Sequence, residues 1–221
     1  MLFVATPLRE NKVSSQYLDG LMQTSNALNR NGMSLEYAFE LGTQIAINRE
    51  KLVRRFLKTN CQFLVFIDSD MVFTAKDVLT LLGADVNIVS GFYKCRIHVS
   101  ENIPNHSFRD INGKPINVES KSALQECSFM PTGIMMIRRS VFEQLYTKHQ
   151  FVFDQGFRDT EYFRALCGED EDEILTGFEG EDVHFCRIWR EMGGQMYVKT
   201  NVRIGHIGEH VYNVIDRRNI P

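Results

Sequence analysis

The sequence predicts an α/β fold, a mostly parallel central sheet with helices on both faces, and three observations carry that expectation. Short apolar runs alternate along the chain with amphipathic stretches of helical period, as repeated strand and helix units do. The run 63–73 drives five apolar residues straight into Asp68-Ser69-Asp70 and then into three more apolar positions, the pattern of a central strand covered on both faces. Asp68 and Asp70 then fall at the carboxyl end of a strand, where open α/β sheets bind their ligands.

At 221 residues the chain is long enough for one large core, and no linker-like stretch divides it, so a single domain over 1–221 is expected. Apolar residues make up 43% and charged residues 24%, with a formal charge of -3, so no basic footprint for nucleic acid is present. The five cysteines (Cys61, Cys95, Cys127, Cys167 and Cys186) form no C-x-x-C pair and read as reduced thiols. The start of the chain lacks the basic and apolar regions of a leader, and no run of about 18 apolar residues occurs. A cytoplasmic protein without a membrane span is expected.

Residues 2–5 read as a first strand stopped by Thr6-Pro7, because proline has no N–H to give a central strand. Residues 14–29 carry Tyr17, Leu18, Leu21, Met22 and Leu28 at near-helical spacing, closed by Asn31-Gly32. Residues 33–39 alternate like a second strand. Residues 44–59 form an amphipathic helix with a basic outer face, and Arg49 in its amino-terminal part is placed to reach a nucleotide; its fellow cations read as solvated. Thr74 and Asp77 have capping-box spacing for a helix over 74–82 that Gly83 ends.

Residues 86–93 read as the next strand, and Lys94 and Arg96 beyond it offer cations to a phosphate or to solvent. The polar, turn-rich region 98–122 is a hairpin or a mobile loop. Residues 129–137 are a strand broken at Pro131-Thr132-Gly133, where Gly133 allows either a bend or a close approach to a ligand. Ser140 is expected to cap a helix to about 149. The acidic run 168–173 has no apolar strand to deliver it and reads as a solvated loop. Glu181 and Asp182 open a helix in which Phe185, Trp189 and Met192 recur at helical spacing before Gly193-Gly194. Residues 195–200 are a last strand, His206 follows between two glycines with His210 as its competitor, and 213–221 is a polar tail.

Two carboxylates one residue apart at a strand end can hold Mn²⁺ or Mg²⁺ against a diphosphate, with phosphate oxygens, water and one imidazole completing the shell. Four features in chain order then resemble a glycosyltransferase of the GT-A class, family-2-like, with its Rossmann-like fold: Thr6-Pro7 after the first strand, Asp68-Ser69-Asp70, Gly180-Glu181-Asp182 at a helix start, and the late His206. The resemblance implies that Asp70, supported by Asp68, binds the divalent metal and the sugar nucleotide, with His206 completing the metal's shell. It implies that Asp182 is the general base for an acceptor hydroxyl and that Glu181 orients acceptor or base. Thr132 and Gly133 would line a sugar pocket, and Thr6, Pro7, Arg49, Ser69 and Lys94 are the remaining candidate substrate contacts.

The activity expected is transfer of a sugar from a nucleoside-diphosphate donor, uridine diphosphate by family resemblance, to a glycan or other hydroxyl acceptor with inversion. Two alternatives stay open. A metal-dependent phosphohydrolase also uses D-x-D at a strand end, and Val72 fits the fifth position of its pattern. A sugar-nucleotide-binding module without catalysis is the other.

Overall fold

The computed structural model describes residues 1–95, 106–120, 122–153 and 179–208, and the backbone of 211–212. The expectations on Arg96, the acidic run 168–173, Cys167, His210 and the tail 213–221 lie outside the described residues.

Eight strands form the main sheet. In chain order these are β1 (Leu2–Leu8), β2 (Leu35–Leu41), β3 (Phe63–Ile67), β5 (Ile88–Phe92), β6 (Arg109–Asp110), β7 (Leu124–Phe129), β8 (Ile134–Arg138) and β9 (Met196–Arg203), in the spatial order β2-β1-β3-β8-β5-β9-β7-β6. A second, three-stranded sheet joins β4 (Met71–Val72), β10 (Gly205–Ile207) and β11 (Val211–Tyr212) in the order β11-β10-β4. The helices are α1 (Ser15–Arg30), α2 (Ile45–Phe56), α3 (Ala75–Leu82), α4 (Arg139–Leu145) and α5 (Glu181–Glu191).

The α/β architecture is the one expected, with a mixed sheet. Pairing is parallel in β2-β1-β3 and between β5 and β9, while β8 lies antiparallel between β3 and β5, and β7 runs antiparallel to β9. Helices cover both faces, as the alternation of β1 shows. Phe3 packs its ring against Phe56 of α2, and Thr6, of opposite parity, bonds through its hydroxyl to Tyr17 of α1.

The first strand does not stop at Thr6-Pro7. It runs to Leu8, with Pro7 in register with Glu40 of β2. The Leu2 amide reaches Ser34 O at 3.1 Å and Leu8 O accepts from the Gly42 amide at 3.0 Å, so the even-numbered residues turn their main-chain groups to β2. Pro7 is turned to β3, whose pairing with β1 ends at Ala5 and Phe66, so its missing N–H falls where no ladder bond is needed.

Capping separates two further expectations. Thr74 and Asp77 exchange both bonds of a capping box at the start of α3. Ser140, by contrast, lies inside the first turn of α4, which begins at Arg139 without a side-chain cap. The Arg139 guanidinium instead donates to the carbonyls of Phe56, Leu57, Thr59 and Cys61, so α4 starts where it closes the end of α2.

Of 98–122, residues 106–120 and 122 are described: β6 pairs antiparallel with β7, and Asp110 closes the turn after β6 by accepting from the Asn112 and Lys114 amides. Four cysteines (Cys61, Cys95, Cys127 and Cys186) are free thiols. Among the described residues no helix is long and apolar enough to cross a membrane.

Candidate functional site

At the carboxyl ends of β1 and β3 a cleft of about 690 Å³ opens, and the residues singled out in the sequence gather there to a large degree. Pro7, Arg49, Asp68, Ser69, Asp70, Thr132, Gly133, Glu181, Asp182 and His206 all line it. Two do not. Thr6 is buried beneath the sheet with its hydroxyl on Tyr17, and Lys94 takes part through its carbonyl rather than its ammonium.

Topology explains the gathering. Because β8 runs antiparallel to β3, its start stands beside the end of β3, with Ile134 opposite Ile67. Pro131-Thr132-Gly133 is thereby delivered to the carboxylates, and Gly133 O accepts from the Asp68 amide at 2.9 Å. A Cβ on Gly133 would run into Met71 and the Tyr93 hydroxyl, so this is a close approach that only glycine permits.

The Asp68-Ser69-Asp70 turn is held at each of its carbonyls. Asp68 O accepts from Met71 N at 3.0 Å, Ser69 O from Ser14 N at 3.4 Å, and Asp70 O from Ile207 N at 2.8 Å. The last of these belongs to the small sheet, in which His206 stands opposite Met71. The late histidine is therefore brought to the carboxylates by strand pairing.

His206 Nδ1 lies 2.9 Å from Lys94 O, and a carbonyl only accepts, so Nδ1 donates. Its Nε2 faces Asp70 Oδ1 at 3.7 Å. This is the orientation in which a backbone carbonyl fixes the ring of a metal-ligating histidine. Among the described residues no three His, Cys, Asp or Glu side chains are gathered closely enough to hold a metal ion by themselves. The donor set fits a divalent cation that takes an oxygen from Asp70 and a nitrogen from His206 and receives its other ligands from substrate and water.

Asp68, which the sequence placed in support of Asp70 at the metal, turns one carboxylate oxygen to Arg49. Alternation puts Asp68 on the face of β3 that carries Phe66, and Arg49 of α2 occupies that face. Arg49 Nη2 donates to Asp68 Oδ1 at 2.9 Å, its Nε faces Glu181 Oε1 at 3.5 Å, and its guanidinium carbon lies 5.0 Å from the centre of the Phe66 ring. Only 2% of the Arg49 side chain is exposed.

Glu181 and Asp182 form the first turn of α5, whose N-cap Gly180 offers no side chain, so the acidic residues meet the positive end of the helix themselves. Asp182 Oδ1 accepts the Val183 amide at 2.8 Å. Burial, together with the neighbouring Glu181 charge, pushes the Asp182 carboxyl up to about 6.

Sequence reasoning missed Tyr93. Its hydroxyl accepts from the Gly133 amide at 2.7 Å, and its ring meets His206 edge-on at 5.7 Å, so it joins two of the site's loops. The available signal was its place at a strand end between Gly91 and Lys94. Ile45, Arg9 and Lys12 also line the cleft, the last two from the loop after β1.

No family model matches the chain, and no curated protein matches it in sequence. Among solved structures, the crystal structure of A197 from STIV aligns with a TM-score of 0.55 at 17% identity, over 98% of this chain and 95% of that one. A glycosyltransferase involved in the glycosylation of the major capsid of PBCV-1 aligns over 66% of this chain and 65% of its own, with a TM-score of 0.37 and 7% identity. The Drosophila β-1,4-galactosyltransferase 7, crystallised as a mutant in complex with manganese, UDP-Gal and xylobiose, aligns over 99% of this chain and 73% of its own, with a TM-score of 0.47 and 10% identity. The first likeness is one of fold alone. The other two are too loose to carry an argument about residues.

Proposed function

We propose that this chain is a metal-dependent glycosyltransferase of the GT-A class, acting as one domain, that moves a sugar from a nucleoside-diphosphate donor to an acceptor hydroxyl with inversion. The observation that carries the reading is that Asp70 and His206 face each other in the same cleft that Asp182 lines from the start of α5. Metal ligands and a carboxylate of raised pKa in one cleft are what direct displacement from a diphosphate asks for.

Asp70 and His206 would hold the cation, Mn²⁺ or Mg²⁺, which when bound supplies positive charge to the departing diphosphate. Asp182 takes the proton from the acceptor hydroxyl as its oxygen attacks the anomeric carbon and the bond to the diphosphate oxygen breaks. With its carboxyl pushed up to about 6, Asp182 is ionised at neutral pH and remains a better proton acceptor than an ordinary aspartate. Glu181 orients that group, Ser69, Thr132 and Gly133 bound the sugar pocket, and Pro7 closes the nucleotide side. Uridine diphosphate is the donor nucleotide proposed, a glycan the acceptor, and the cytoplasm the compartment.

The test is to incubate the protein with Mn²⁺ and a panel of nucleotide sugars, and separately with simple phosphate esters. Sugar transfer or donor hydrolysis that vanishes with EDTA and in Asp70→Ala is expected. Phosphate release from the esters without nucleotide-sugar turnover would replace this reading with a phosphohydrolase, and binding without turnover with a sugar-nucleotide-binding module.

A further inference from the structure

Five carboxylates line one cleft: the exposed Glu10 pairs with Lys12, while Asp68, Asp70, Glu181 and Asp182 stand around the buried Arg49. We infer that Arg49 is a positioning residue standing where a second cation would otherwise bind: it holds Asp68 and Glu181, and so confines the metal to Asp70 and His206. The inference rests on the metal-dependent reading above and deepens it.

The geometry favours a fixed internal cation over a substrate contact. One guanidinium spans carboxylates from two elements, Asp68 at the end of β3 and Glu181 at the start of α5, and its plane is backed by the Phe66 ring. Nη1 has no hydrogen-bond partner among the described residues, so the two carboxylates and the ring set where the group sits. A lysine in its place would be a point charge without the fork that reaches both. With Asp68 and Glu181 engaged, Asp70 and Asp182 are left to face a substrate.

Removing Arg49 leaves hard oxygen ligands without their buried counter-charge, and such a cluster binds Mn²⁺. The experiment counts Mn²⁺ bound by the full chain, by paramagnetic resonance of the free ion, with and without saturating UDP. Arg49→Met is expected to bind about one Mn²⁺ per chain more than the parent, or to bind it about tenfold more tightly without UDP. Arg49→Lys, which keeps the charge, is expected to gain none and to lose transfer through kcat rather than KM.

An Arg49→Met protein that folds and binds Mn²⁺ as the parent does overturns the inference. Glu181→Gln gives an independent arm, because it leaves Arg49 less compensated: several-fold weaker Mn²⁺ binding supports the inference, and unchanged affinity overturns it. A parent that binds no Mn²⁺ even with UDP overturns the proposed function, while a gain of Mn²⁺ in Arg49→Met would still support the role given to Arg49.

Discussion

The two acidic pairs of the cleft arise from different secondary structure and divide their work in the same way. Asp68 and Asp70 leave the end of a strand, and Glu181 and Asp182 open a helix. In each pair one member turns to Arg49, Asp68 at 2.9 Å and Glu181 at 3.5 Å, and the other lines the cleft without an ion pair to Arg49. A carboxylate pair in a motif can thus hold two separate positions, one that secures the frame and one that, in the proposed reaction, would meet the substrate.

Mutation can break that symmetry. The largest effects belong to the cleft-facing members: Asp70→Ala and Asp182→Asn should each lower transfer by about 10²- to 10⁴-fold. A thermal shift with UDP and Mn²⁺ separates them, since Asp70→Ala should lose the Mn²⁺-dependent part and Asp182→Asn should keep it. If both lose it, the two sites are not distinct.

The members that face Arg49 should act on stability first. Asp68→Asn and Glu181→Gln each leave a buried guanidinium less compensated, and denaturant titration should show a loss of about 1–3 kcal/mol. Their double variant should cost more than the sum of the two, because each single variant relieves repulsion between the carboxylates and only the double leaves the buried guanidinium without a counter-charge.

Protonation sharpens the comparison from another side. Asp182 must be ionised to accept a proton, so transfer should rise with pH through about 6 and level off above it. Its folded pKa is raised, so the charged form strains the fold: the contribution is harmless below the unfolded value near 3.8 and grows as pH rises through about 6. Asp182→Asn should therefore melt above the parent at pH 8, by roughly 1–2 kcal/mol after allowance for partial exposure, with the gap closing near pH 4.

The smallest expected effect is at Tyr93. Tyr93→Phe removes the acceptor of the Gly133 amide and should cost about 1 kcal/mol in a urea melt. A rise in donor KM at unchanged kcat would show that this bond also shapes the pocket.

What the sequence revealed followed from short-range physics. Apolar runs and helical spacing marked the strands and helices, and the Thr74–Asp77 capping box formed as its spacing required. Asp70 and His206 could be named together through a family resemblance, although the strand pairing that joins them, β4 with β10, leaves little pattern in two- and three-residue strands. The partner of Arg49 was hidden for a similar reason. Arg49 read as a cation reaching for a nucleotide, and only the packing of α2 on β1 and β2 turns it inward onto Asp68. Pro7 misled because the rule against proline in a central strand depends on which side its nitrogen faces, and parity along β1 is not visible until the neighbours are known.

The pinning of the Asp68-Ser69-Asp70 carbonyls has a consequence for biosynthesis. Their donors come from Met71 within the turn, from Ser14 near the start of the chain and from Ile207 far beyond the turn. During translation the aspartates leave the ribosome long before the segment that carries His206 and Ile207, and domains complete their long-range pairings only when both halves are available. The nascent polypeptide thus exposes its carboxylates without the imidazole and without the strand that fixes their turn. In the proposed reaction, competence for cation capture would be conferred by nearly the last stretch of the described chain to be made.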